Sequence, residues 1–291
     1  MRRFFSFVLV GSLFFLPVRG IAATDFTDTV SFGNSLTHND LLWIYYGNPQ
    51  DLYQADPMEA VFNKGALPGD ELVNYAVAGS ESGDVSLQID LYDFFRIIGS
   101  QDKATLISFE IGGNDVLNNV GLLAAYAPGE NAEADAVIDA LLDNMITDFS
   151  RLLGSHPNAQ FVVWTVPDVT LTPDLWFDLT PAEGENVRAH IDRVNRLIRK
   201  AGERFSYVVA PDVYSLMGVA VNHPPVIFGH PLVPPPAYGE YDHLFADEIH
   251  PTAVGNALIA NYFIVSMNAK WLDDIPLYSR SELADLAHIP H

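Results

Sequence analysis

Ser35, Gly79, Asn114, Asp247 and His250 are the residues through which this 291-residue chain could do chemistry. The run Asp28-Thr29-Val30-Ser31-Phe32-Gly33-Asn34-Ser35-Leu36 alternates β-branched or aromatic residues with small polar ones, then breaks at Gly33 and presents Ser35. That is the pattern of a short buried strand ending in a sharp turn, which lifts a hydroxyl above the carboxyl edge of a sheet. A serine there can attack an ester if a base takes its proton and donors hold the oxyanion. Gly, Asn and Ser also favour turns on their own account, so the tripeptide alone leaves a plain strand-ending turn open.

The other requirements lie further along the chain. Ala78-Gly79-Ser80 follows the second apolar run and Gly112-Gly113-Asn114-Asp115 the third. If these runs are neighbouring strands, Ser35, Gly79 and Asn114 share one sheet edge. Gly79, lacking a side chain, lets its N–H approach a substrate oxygen; the Asn114 amide and the Ser35 N–H offer two more donors. Such an oxyanion hole is worth roughly 3–4 kcal/mol per well-placed donor. In Asp247-Glu248-Ile249-His250 the carboxylate and imidazole are three residues apart, on the same face of one turn, so the acid can fix the tautomer that faces Ser35. Pro251 and Thr252 then open an apolar helix running towards Val265, with Pro251 suited to its first turn.

Rival assignments exist. The chain has nine histidines, of which His223, His230 and His243 read as loop or surface residues. Asp242-His243 is a second acid–imidazole pair, but adjacent positions point different ways. Asp84, Asp115 and Asn118 could be taken for metal ligands; each stands just before or within an apolar helical pattern and is expected to cap a helix.

Five apolar runs, 29–32, 71–76, 105–111, 161–166 and 207–210, read as strands covered on both faces. Between them lie helical stripes: Val137, Leu141, Met145, Phe149 and Leu152 in 135–153, and Val187, Ile191, Val194 and Ile198 in 185–205. Alternation of strand and helix predicts a three-layer α/β/α fold on a five-stranded parallel sheet, with the chemistry beyond the carboxyl ends of the strands. Residues 43–58, rich in aromatics, and 223–238, with six prolines, are loop-like and are expected to shape a pocket. Trp43, Tyr45, Tyr46 and Tyr53 would suit an apolar acyl chain or simply the core.

Met1-Arg2-Arg3, the apolar stretch Phe4 to Pro17 and the small residues of Gly20-Ile21-Ala22-Ala23 predict a signal peptide over 1–23, with an uncleaved anchor the rival. The remainder, 24–291, fits one α/β domain and an exported, secreted or periplasmic protein. Cysteine is absent, so stability rests on packing. Loss of Arg2, Arg3 and Arg19 takes the formal charge from −22 to −25, which argues against nucleic acid and anionic membrane surfaces as partners.

Gly33-Asn34-Ser35-Leu36, Gly79, Gly113-Asn114-Asp115 and Asp247-x-x-His250, in this order, resemble the blocks of the GDSL esterase/lipase family, or SGNH hydrolases. The resemblance implies a flavodoxin-like parallel sheet, Ser35 as nucleophile, His250 as base, Asp247 as its partner, and Ser35, Gly79 and Asn114 as the oxyanion hole. The chain is expected to be an exported serine esterase that uses no cofactor and no metal, acts on a small-molecule or lipid ester, and has no stable membrane insertion once the signal is removed. An acyltransferase using the same acyl-enzyme, or a non-catalytic binding protein on the same fold, are the alternatives. The family usually has Asp where this chain has Asn34, which leaves the rate and pH optimum open.

Overall fold

The computed structural model describes residues 23–38 and 42–291, the side chain of Trp43 excepted. The predicted signal segment thus lies outside the described residues, Ala23 apart. Five parallel strands, β1 (Asp28–Phe32), β2 (Glu71–Asn74), β3 (Leu106–Phe109), β4 (Gln160–Val163) and β5 (Val208–Val209), form one sheet in the order β2-β1-β3-β4-β5. Val30 sits opposite Val73 on one side and Ile107 on the other, which fixes the central register. The five runs read from sequence are these strands. β2 to β5 are shorter than their runs because the chain leaves the sheet before each of those runs ends and turns into a loop.

Strand residues alternate between two cores, as the period of two demands. Val30, Phe32, Ile107, Phe109, Phe161 and Val208 face α3 (Val85–Ile97), α6 (Ala132–Ser155) and α7 (Pro181–Arg204), whose buried stripes include Ile89, Leu141 and Ile191. Leu106, Val162 and Val209 face α2 (Pro57–Gly65) and α9 (Ala253–Trp271). On that side Trp164 and Phe263 meet edge to face at 4.7 Å between centroids, and the Trp164 indole donates to Ser108 Oγ at 3.1 Å. Each such fully buried large side chain contributes about 1.5–3 kcal/mol.

Two predicted loops carry regular structure. Residues 43–58 hold most of α1 (Leu42–Tyr46), a 3-10 turn (Gln50–Tyr53) and the start of α2, with Leu52, Tyr53 and Met58 packed inward while Tyr45 stays exposed. Residues 223–238 include a small antiparallel ladder, β6 (Val226–Ile227) with β7 (His230–Pro231). Of the remaining helices, α4 (Gly113–Leu117) and α5 (Val120–Ala125) follow β3, α8 (Val213–Asn222) follows β5, and α10 (Arg280–Leu286) closes the chain. Pro251 is not in the first turn of α9. Thr252 is the N-cap, its Oγ1 accepting from Gly255 N at 3.1 Å, and Pro251 precedes it. Among the described residues no helix is long and apolar enough to cross a membrane.

Candidate active site

The sheet order reverses direction between β1 and β3, the point where ligands bind in open α/β sheets. Ser35 lies just beyond β1, Gly79 beyond β2 and Asn114 at the opening of α4 beyond β3, so the three reach one edge. Gly33 makes the turn possible by its size: a Cβ there would lie 2.5 Å from Glu110 O and 2.8 Å from Thr37 Oγ1.

Ser35 Oγ donates to His250 Nε2 at 2.8 Å. The opposite nitrogen, Nδ1, contacts Asp247 Oδ2 at 2.9 Å and Oδ1 at 3.0 Å. All three residues are buried. Asp247 and His250 are held by a bend rather than by a helical turn: Asp247 Oδ1 accepts from Ile249 N and His250 N, both at 2.7 Å, while Ala246 N donates to His250 O at 2.8 Å. The loop is pressed onto the start of α9, where a Cβ on Gly255 would stand 2.8 Å from Leu244 O. Burial raises the Asp247 carboxyl, but hydrogen bonds and charge from His250 and the two backbone donors outweigh it, leaving it below the ordinary carboxylate range. Asp247 therefore stays ionised beside the imidazole.

The rival pair is not assembled. His243 Nε2 and Asp242 Oδ1 are 3.9 Å apart, and among the described residues the buried His243 Nδ1 has no hydrogen-bond partner. His223 and His230 are exposed.

The oxyanion candidates have donors to spare. Among the described residues the backbone N–H groups of Ser35 and Gly79 have no intramolecular acceptor. Gly79 is exposed and adopts φ +83°, a conformation costly for any other residue. Asn114 spends one amide hydrogen on Ser80 O at 2.9 Å, which fixes the amide plane and leaves the second for a ligand.

Of the expected helix caps, only Asp84 behaves as one, accepting from Glu81 N at 2.9 Å in a capping box. Asp115 instead accepts from Ser82 N at 2.9 Å and Ser82 Oγ at 2.6 Å, and Asn118 donates to Glu81 Oε1 at 2.7 Å. These bonds tie the Asn114 loop to the Gly79 loop, so the residues serve loop-to-loop alignment. Among the described residues no three His, Cys, Asp or Glu side chains gather in a way that could hold a metal ion.

Two participants escaped the sequence reading. Tyr53 Oη donates to Asp247 Oδ2 at 2.9 Å and accepts from Asn48 Nδ2 at 2.9 Å; Asn48 also reaches Ala246 O at 3.0 Å. Burial foremost raises the Tyr53 hydroxyl well above its ordinary value, so it remains a donor. Tyr46 packs edge-on against the His250 ring at 5.6 Å. These aromatics brace the acid and the imidazole, and nothing in their spacing distinguishes that role from lining a pocket. The second is Glu110, buried at the end of β3, which accepts from Asn34 Nδ2 at 3.1 Å and Thr37 Oγ1 at 3.3 Å. Burial, against these hydrogen bonds, pushes its carboxyl up to about 7. A lone acid inside the apolar run 105–111 was the available signal.

The family model described as GDSL-like Lipase/Acylhydrolase matches residues 30–263, and this chain belongs to that family of ester hydrolases. In fold it is similar to an acetylxylan esterase, Axe2, from Geobacillus stearothermophilus, solved as a catalytic mutant (16% identity, TM-score 0.54, 88% of this chain and 100% of that one). It is likewise similar to the lipase Lip_vut3 from a goat rumen metagenome (12% identity, TM-score 0.54, 82% and 96%). A third is LAE5, an alpha/beta hydrolase enzyme from the metagenome of Lake Arreo (19% identity, TM-score 0.51, 88% and 100%). At these identities the likeness is one of fold. No curated protein matches the chain in sequence.

Proposed function

We propose that this hydrolase cleaves carboxylic esters through an acyl-enzyme on Ser35. The observation that carries the proposal is the 2.8 Å hydrogen bond from Ser35 Oγ to His250 Nε2, backed by the Asp247 contact at 2.9 Å on the opposite nitrogen. As Ser35 Oγ attacks the carbonyl carbon, His250 takes the hydroxyl proton, and Asp247 stabilises the imidazolium. The carbonyl oxygen becomes an oxyanion facing the Ser35 and Gly79 N–H groups and the Asn114 amide. Collapse breaks the bond to the alkoxide, which receives the proton from His250 and leaves as alcohol. Water then repeats the sequence: it attacks the acyl carbon as His250 takes its proton, Ser35 Oγ is expelled and reprotonated, and the acid departs.

Ser35→Ala tests this directly. It should abolish turnover of an activated ester and covalent labelling by a fluorophosphonate while leaving the thermal unfolding transition nearly unchanged. Substantial activity in the pure variant would remove Ser35 from the mechanism.

The reading includes export. The basic start, short apolar stretch and small residues of 1–23 support a cleaved signal peptide and a secreted or periplasmic enzyme whose mature part is one hydrolase domain. N-terminal sequencing of the mature protein, expected to begin near Thr24, checks it.

A further inference from the structure

A cleft of about 180 Å³ opens beside Ser35 and Asn114. Its walls are apolar: Leu216, Met217 and Val221 on α8, Leu244 and Phe245 before the His250 bend, and Leu258 on α9. Its polar contributors are Asn34, Ser35, Asn114 and Thr172, and among the described residues none of its walls is charged. Tyr45, Tyr46 and Tyr53, candidates for such a surface from sequence, do not line it.

We propose that this cleft receives the acyl chain of the substrate as an extended hydrocarbon of medium length, making the enzyme selective for such esters over acetyl esters. The inference rests on the acyl-enzyme reading above. Ile249 and Pro251 help to line the cleft, whereas the His250 ring between them does not, being engaged by Ser35, Asp247 and Tyr46. The departing alcohol takes its proton from His250 Nε2 and so belongs on the imidazole side of the carbonyl carbon. The substituent left to meet the cleft is the acyl chain. A polar or charged acyl group would lose its hydration there without finding partners. An apolar cavity of about 150 Å³ accommodates benzene, so a cleft of about 180 Å³ takes on the order of six carbons.

The test uses two series of nitrophenyl or alkyl esters, one lengthening the acyl group from acetate to laurate, the other lengthening the alcohol of an acetate ester. Rates are normalised to the Ser35 sites titrated by a fluorophosphonate. The expected result is kcat/KM rising roughly fourfold per added acyl methylene, the equivalent of about 0.8 kcal/mol, and levelling near six carbons, with little dependence on the alcohol. Ala220→Phe fills the cleft from a half-buried position on α8 and should collapse the hexanoate-to-acetate ratio. Val219→Phe, on the exposed face of the same helix, should leave that ratio as in wild type. A flat acyl series, a preference for acetate, dependence on the alcohol instead, or an Ala220→Phe ratio like wild type would each overturn the acyl cleft while labelled, active Ser35 left the esterase standing. Absence of both labelling and turnover would overturn the esterase reading itself.

Discussion

Asn34 Nδ2 donates to Glu110 Oε1 at 3.1 Å, joining the residue beside the candidate nucleophile to a buried carboxyl at the end of β3. The pairing suits the amide that stands here in place of the family's usual Asp. With Asn34 the Glu110 carboxylate has a donor; with Asp two carboxylates would face each other in a dry site, and one would have to be protonated. Asn34→Asp should therefore destabilise the fold at pH 8 by on the order of 3 kcal/mol. Combining it with Glu110→Gln should restore most of that loss, because the amide can donate where the second carboxylate repels. Denaturant unfolding of the two single variants and the double variant checks this; additive effects would dissolve the pairing.

Glu110 also sets a pH dependence of stability. Its folded value of about 7 lies above the ordinary 4.5, so between these values the folded state holds more protons than the unfolded one. The associated stability is present below pH 4.5 and is lost as pH rises to about 7, at about 1.4 kcal/mol per pH unit. Wild type should lose a few kcal/mol relative to Glu110→Gln across that window and run parallel to it above pH 8. Equal slopes for both proteins in urea unfolding would show that Glu110 titrates normally.

Most of the architecture was legible because four of the five strands are buried on both faces and read as apolar runs, and the partly exposed edge strand β2 still carries Leu72 and Val73. The Ser35, Asn114 and His250 loops announce themselves by residue type. What was not legible depends on contacts across the chain. Tyr53 is 194 residues from Asp247, and a tyrosine in an aromatic segment looks the same whether it braces a carboxylate or lines a cleft. Asp115 reads as a helix cap from its neighbours, yet Ser82 on another loop claims its carboxylate. The apolar face of α8 is visible in Val213–Asn222, but its position beside Ser35 follows only from how the chain returns after β5.

Tyr53→Phe keeps the ring and removes the hydrogen bond to Asp247 Oδ2. A hydrogen bond to a charged group is worth about 1.5–3 kcal/mol, and here it orients the acid rather than the substrate. We expect kcat to fall roughly tenfold or more with KM little changed. A rise in KM at unchanged kcat would place Tyr53 in substrate binding instead.

On the proposed mechanism, Asn114→Ala removes a donor needed chiefly in the transition state. Its kcat should fall by about 10² to 10³ with a smaller effect on KM. The Ser80 carbonyl loses its partner as well, so unfolding of the variant is measured alongside. A normal kcat in a folded variant would leave the oxyanion to the Ser35 and Gly79 N–H groups.

Asp247→Asn should be worse than Asp247→Ala, an order that follows from the bend around the carboxylate. Oδ1 accepts from the N–H groups of Ile249 and His250, both at 2.7 Å, so an asparagine must keep its carbonyl oxygen there. Its amide nitrogen then occupies the Oδ2 position, 2.9 Å from His250 Nδ1 and facing Tyr53 Oη, while the retained oxygen, 3.0 Å from Nδ1, is already shared between the two backbone donors. An N–H directed at Nδ1 makes that nitrogen an acceptor and puts the imidazole proton on Nε2, where it blocks uptake of the Ser35 proton. Alanine leaves the tautomer free. We expect kcat/KM to fall about 10⁴-fold for Asp247→Asn, somewhat less for Asp247→Ala, and not at all for Asp242→Asn. Fluorophosphonate labelling of Ser35 should slow in the same order. An Asp247→Asn variant that labels and turns over faster than Asp247→Ala would mean that the side chain reorients and that the carboxylate acts through its charge alone.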